Sequence, residues 1–308
     1  MSNNFNKDFF LSICVPTYNR EILLKKLLDS VDSNYNDRVE VVIVDDGSND
    51  LTRELCNKYK DMFNVKYIYQ VNSGRSHALR KSILNASGEY VVIMDSDDIF
   101  VNNGVNIIVE SLLDLFSVKS QENIAGAVFL CVSDKNLIGK NFNNYKSRGN
   151  LLRDVADLGI TGDKKEVIKL KILKTYMYEP YKNEKRMATS ILWNRISSKY
   201  DVININKVVA NKDYHNDGLS KNIDKVRMLS CRSSALYYSE ALNYHKIVYF
   251  SNIYAFKLAA NLVRYSLHCK SIEFIRSSRS GVALISLSCV VGLFLYIKDK
   301  VKYASTFK

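Results

Sequence analysis

Residues 95–98, Asp-Ser-Asp-Asp, put three carboxylates into four positions at the end of the apolar run 90–94. Carboxylates this close repel and raise one another's pKa unless a cation or a set of donors holds them. A divalent cation is one answer, because Mg²⁺ and Mn²⁺ take oxygen ligands from one or two carboxylates, water and substrate phosphates. Asp95 and Asp97 are placed to offer oxygens to one such metal and a neighbouring ribose, and the metal would stabilise a departing diphosphate. Two other clusters also follow apolar runs: Pro16-Thr17-Tyr18-Asn19-Arg20 and Asp45-Asp46-Gly47-Ser48. A carboxylate at Asp46 suits the imide N–H of uracil, and Tyr18 offers a ring to stack on a base. Plainer readings stand beside these: Asp46-Gly47 as a turn, Asp50 or Ser48 as a helix cap, Asp97 or Asp98 as another.

The elements that must position these groups follow from periodicity. Residues 11–15, 41–44, 65–69, 90–94 and 126–132 are short continuous apolar runs, as expected of strands buried on both faces. Between them, Ile22, Leu23, Leu27, Leu28 and Val31 share one helical face. Leu51, Leu55, Tyr59 and Met62 share another, and Val105, Ile108, Val109, Leu112, Leu113 and Phe116 a third. Alternating strand and helix predicts an α/β fold with a mainly parallel sheet, whose ligands sit at the carboxyl ends of the strands. Three such ends carry the clusters above. The glycine-rich fingerprints of dinucleotide and P-loop sites are absent, and an EF-hand lacks its glycine and final glutamate.

The chain has 308 residues and a net charge of +12, unevenly spread. Residues 1–100 carry −3, 101–198 carry +5 and 199–308 carry +10. That asymmetry points to an anionic surface met by the C-terminal part. Nucleic acid is disfavoured, since the basic residues surround an apolar segment without the interleaved aromatics of strand binding. The six cysteines show no metal or disulfide spacing and read as reduced thiols of a cytosolic protein. No basic-then-apolar leader opens the sequence. Residues 281–297 are seventeen without a charge, followed by Lys298, Lys300 and Lys302. Seventeen is the lower limit for a spanning helix, so the expectation is a segment lying in or dipping into the cytoplasmic leaflet.

The stretches "VPTYNR", "VVIVDDGSNDLT", "NSGRSHALRKSILNASGEY" and "MDSDD", in this order, resemble the family 2 glycosyltransferases of GT-A fold over about residues 9–130. The later "GDKKEVIKLKILKTY", "NEKRMATSILWNRI" and "HNDGLSKN" resemble a branch that builds bacterial surface polysaccharides. The resemblance implies a Rossmann-like mixed sheet flanked by helices in a domain of residues 1–225, donor half 9–130 and acceptor half 131–225. A basic, membrane-associating helical extension over 226–308 would follow. It implies an inverting, metal-dependent transfer from a UDP-sugar to a saccharide on a polyprenyl diphosphate carrier, at the cytoplasmic face of the plasma membrane. By the same resemblance Asp46 reads uracil, Asp95 and Asp97 hold Mg²⁺ or Mn²⁺, and Asp98 supports them. Pro16, Tyr18, Arg20, Asp45 and Arg75 complete the donor site, and Asp217 lies in a loop that closes over the nucleotide.

The departures are specific. Arg80 and Ser82 stand where the family shows Asn and Gly. Thr189 stands four positions before Trp193, where relatives carry the glutamate expected to act as general base. A threonine hydroxyl is a poor proton acceptor near neutral pH, so Glu184, the nearest carboxylate, is one candidate base, with Glu179 next; a base elsewhere in the chain, or a slow reaction, is the equal reading, and the base stays unassigned. The alternative is a degenerate protein that binds nucleotide-sugar or partner enzymes without turnover.

Overall fold

The computed structural model describes residues 10–31, 34–60, 62–116, 123–184, 186–212, 223–248, 252–278 and 282–304. In chain order, β1 (Leu11–Thr17), α1 (Glu21–Asp29), β2 (Val39–Asp45), α2 (Thr52–Tyr59), β3 (Asn64–Tyr69) and α3 (Arg75–Asn85) lead to β4 (Tyr90–Ile93) and β5 (Asp98–Phe100). Next come α4 (Gly104–Phe116), β6 (Ile124–Ser133), β7 (Asn136–Leu137), β8 (Lys146–Gly149), α5 (Arg153–Ala156) and β9 (Lys164–Lys169). After α6 (Leu170–Tyr176), α7 (Ser190–Ser197) and β10 (Asp201–Lys212), the described chain is helical: α8 (Ile223–Leu229), α9 (Cys231–Val248), α10 (Asn252–His268), α11 (Glu273–Ser277) and α12 (Val282–Lys302).

Two compact units result. The first, Met1–Gly149 with Ile160–Met177 and Tyr200–Tyr214, holds one mixed sheet in the order β3-β2-β1-β4-β9-β6-β10-β5. β3, β2, β1 and β4 are mutually parallel, so Thr17, Asp45, Tyr69 and Ile93 end at the same side. At the opposite end Glu40 accepts from Ser12 Oγ at 2.5 Å and Ser87 N at 2.6 Å, tying β1, β2 and the start of β4 together without touching the site end. β1 and β2 are buried throughout, as their unbroken apolar runs predict; β3 differs, being a half-exposed edge strand. Helical faces Leu24, Leu27, Leu28 and Val105, Ile108, Val109, Leu112 join the strands in one core.

Strands β5, β7, β8, β9 and β10 lie outside the apolar runs, and β9 and β10 are the longest of them. β9, Lys-Lys-Glu-Val-Ile-Lys, pairs antiparallel with both β4 and β6. Only Val167 and Ile168 advertise burial there, while Lys165 is buried through an ion pair that sequence spacing does not reveal. β10 alternates irregularly because bulges shift its register against β6 near Ile205, Val208 and Ala210.

The second unit is Asn150–Gly159, Tyr178–Lys199 and His215–Lys308. Within it α7 packs with the C-terminal helices, since Arg195 grips Glu240 of α9 through Nε at 2.9 Å and Nη2 at 2.7 Å. Tyr238 stacks on Tyr265, centroids 5.6 Å apart, in a core with Leu242, Leu258 and Leu262. Trp193 is half-buried on α7. Residues 282–297 of the apolar segment lie within α12, which runs on through the lysines; no helix among the described residues is long and apolar enough to cross a membrane.

Candidate active site

The carboxyl ends of β1, β2 and β4 carry the expected clusters, and the first unit brings them together. Asp97 is bound by Arg20 of the β1 exit. Asp95 is bound by Arg75 at the first turn of α3, with Nε to Oδ1 at 2.8 Å and a second, shorter contact from Nη2. Asp98 sits underneath, 2% exposed, receiving Lys165 of β9 at 2.6 Å. Lys212, at the end of β10, lies 3.5 Å from Asp98 and 3.1 Å from Asp163. The question posed by three adjacent carboxylates thus has a first answer within the chain. A ring of two arginines and two lysines holds them.

Burial pushes the Asp95 carboxyl up, but the charges of Arg75, Lys165 and Lys212 outweigh it and hold the group below the usual carboxylate range. Burial likewise opposes the charge of Lys212, yet Asp98, Asp95 and Asp163 keep its pKa raised. On the same strand as Lys165, burial pushes the Glu166 carboxyl up to about 7, within reach of proton exchange near neutrality. Neither lysine nor Glu166 was singled out from the sequence; the Gly-Asp-Lys-Lys-Glu run at 162–166 was quoted only for its resemblance.

The β2 exit is a hydrogen-bonded network of its own. Asp46 is 3% exposed and accepts from Gln70 Nε2 at 2.7 Å, Ser73 N at 2.8 Å and Gly74 N at 2.8 Å. It anchors the loop leading into α3, with two donors on Oδ1 and one on Oδ2, which keeps capacity for a further donor. Asp45 accepts from Ser48 N at 2.9 Å and Tyr67 Oη at 2.7 Å. Gly47, at φ +88°, lets the turn close against Asn72. Asp50 is the cap expected of it, and caps two helices: it accepts from Thr52 N at 3.1 Å and from Glu21 N at 3.0 Å. Pro16 lies within β1, and Tyr18 is 45% exposed beside it, open to a stacking partner. Asp217 and His215 fall outside the described residues.

A divalent cation fits part of this donor set. Asp95 and Asp97 are partly exposed and offer hard oxygen ligands. Among the described residues no group of three or more His, Cys, Asp or Glu side chains is placed to hold a metal, and Asp95 and Asp97 would supply two ligands. Phosphate and water supplying the remainder is the habit of Mg²⁺ and Mn²⁺.

Glu184 belongs to the second unit and has another task there. Its oxygens accept from Arg232 N at 2.7 Å, Ser233 N at 2.8 Å and the Ser233 hydroxyl, the first-turn donors of α9. Only 7% exposed, it caps that helix across the chain, so its oxygens are engaged there. Thr189 occupies the N-cap position of α7. Replacing Glu184 by alanine leaves buried N–H groups without acceptors, so urea unfolding should show a loss of about 2–4 kcal/mol. Glutamine, retaining one acceptor oxygen, should cost clearly less.

Carboxylates and arginines are thus gathered at the parallel strand ends, the place where α/β sheets hold their ligands. Residues 12–157 match the family model for glycosyl transferase family 2. Glycosyltransferase GlyA of Streptococcus pneumoniae is 40% identical over 89 residues, 29% of this chain and 13% of that one. The minor teichoic acid biosynthesis protein GgaA of Bacillus subtilis is 30% identical over 154 residues, 46% of this chain and 33% of that one. The chain therefore spans well under two-thirds of either relative. Among solved structures, S. aureus TarS 1–349 in complex with UDP-GlcNAc aligns over 97% of this chain and 92% of its own, with TM-score 0.61 and 18% identity. That likeness establishes the GT-A arrangement of sheet and flanking helices.

Proposed function

We propose that this chain transfers one sugar from a UDP-sugar, with inversion, to a saccharide carried on a polyprenyl diphosphate during synthesis of a bacterial surface polysaccharide. The observation that carries the reading is the pairing of Asp95 with Arg75 and Asp97 with Arg20 at the parallel strand ends. It is a site able to bind both a metal and the diphosphate, because each pair contains one group suited to each. TarS, of the same fold, holds UDP-GlcNAc, and GgaA is named for teichoic acid biosynthesis; both support the donor and the class of product.

Asp95 and Asp97 would hold a Mg²⁺ or Mn²⁺, which would supply charge neutralisation for a departing diphosphate. Arg20 and Arg75, beside the same carboxylates, would offer their donors to the phosphate oxygens. Tyr18 stacks on the base. Lys165 and Lys212 keep Asp98 neutralised beneath the loop, so that the loop is set before the donor arrives.

A second reading, binding without turnover, is favoured by one observation: Thr189 supplies no base and Glu184 caps α9. Radiolabelled UDP-sugars offered with a polyprenyl-linked saccharide and Mn²⁺ separate the two. The unmodified protein should form product, and Thr189→Glu should form it at least about tenfold faster. Donor binding with no product from either protein would leave the binding role; no donor binding would sink both.

A further inference from the structure

The C-terminal helix α12 has two unlike sides. Its inner side is fixed on α10. A Cβ at Gly292 would meet Ala260 O at 2.7 Å and Val263 side-chain carbons at 2.6 and 2.8 Å, so the backbones lie close. Ser288 is fully buried on the same side. Asp299, 3% exposed, accepts from Arg264 Nε and Nη2, both at 2.6 Å, and lies 2.9 Å from His268 Nε2. That buried clasp, with Asp224 3.6 Å from Arg264, fixes the rotation of α12 about its own axis.

The outer side is therefore defined. Leu287, Val290, Phe294, Ile297 and Val301 are 71%, 75%, 66%, 51% and 75% exposed. At 3.6 residues per turn their spacing puts them in one stripe along the helix. An exposed apolar stripe of this length marks a surface that is covered in use. Lys298 and Lys302 are exposed along one border of the stripe. Residues 231–308 as a whole hold eleven Lys and Arg against three Asp and Glu.

We propose that this face of α12 seats the chain on an anionic lipid bilayer, the helix lying in the plane of the interface. Charge complementarity selects this occupant. Clustered lysines beside an apolar stripe match acidic headgroups above acyl chains. A second copy of α12 would bring further lysines and no acidic partner, because the one aspartate of the helix is buried in the clasp. Crossing the bilayer would pull that clasp apart. This inference does not rest on the transfer chemistry, and its test uses no nucleotide.

The full-length chain is centrifuged with large unilamellar vesicles of phosphatidylcholine alone or with about one-third phosphatidylglycerol. Binding is expected to the acidic vesicles and to be at least about tenfold weaker to the neutral ones. Val290→Asp/Phe294→Asp should abolish it, and Lys298→Ala/Lys302→Ala should reduce it about tenfold, with added salt doing the same. All four positions are exposed, and unchanged thermal unfolding by circular dichroism checks that each variant is folded. The proposal is overturned if the wild type ignores acidic vesicles or if the aspartate variant binds as well as the wild type. A stripe-dependent dimer in sedimentation velocity, without vesicle binding, would also overturn it by assigning the face to a second copy.

Discussion

Replacing Asp97 by alanine is expected to erase the metal dependence of UDP binding. In the wild type, titration with UDP should give weak binding without Mn²⁺ and binding about 10- to 100-fold tighter with it. In Asp97→Ala the two titrations should superimpose. The physical argument lies in the pairs. Without ligand, Arg20 sits on Asp97 and Arg75 on Asp95, so a cation arriving alone must displace a guanidinium from each carboxylate. A nucleoside diphosphate arriving with the cation offers those guanidinium groups new acceptors, so the exchange costs little. Mn²⁺ without nucleotide should accordingly bind poorly, which its electron paramagnetic resonance signal reads directly. In the variant, Arg20 has no carboxylate to leave and is available to phosphate from the start, while the metal has lost a ligand. Metal-independent binding should then survive while the metal-dependent increment disappears. Tight Mn²⁺ binding by the free wild type would show that the arginines do not compete for the site.

Much of this arrangement was legible in the sequence because the relevant signals were local. Continuous apolar runs ending in Asp45-Asp46 and in 95–98 are read from neighbouring residues, and a parallel sheet must bring their ends to one side. What stayed hidden was non-local. Lys165 and Asp98 are 67 positions apart, and nothing in a charged strand such as Lys-Lys-Glu-Val-Ile-Lys announces a buried ion pair. Glu184 shows the converse. Chosen for its closeness in sequence to Thr189, it is held by donors 48 and 49 positions away at the start of α9. The donors that hold Asp46 were equally hidden, because the loop from Gln70 to Gly74 that folds over it carries no mark of doing so. In the tail, composition announced an apolar segment of marginal spanning length. Only the placement of Gly292 and Asp299 against α10 says which side of the helix is free.

The buried pair beneath the site should be the most sensitive place in the sheet unit. Lys165 and Asp98 have side chains 5% and 2% exposed, with their charges 2.6 Å apart. Besides Asp98, the ammonium lies 3.4 Å from the carbonyl of Ile93, too little to hold a charge away from water. Asp98→Ala should therefore cost about 3–5 kcal/mol in urea unfolding, the usual cost of leaving one buried charge without its partner. Removing both charges is a different experiment. Asp98→Ala/Lys165→Met deletes a pair that carries no net charge and restores an apolar stem, and should return stability to within about 1 kcal/mol of wild type. Lys212 limits the recovery without preventing it, since it keeps Asp163 at 3.1 Å. The double variant also separates support from contact. If Asp98 acts only by setting the loop that carries Asp95 and Asp97, UDP affinity should follow stability and recover with it. A double variant that is stable yet fails to bind UDP would instead place Asp98 or Lys165 in direct contact with the donor.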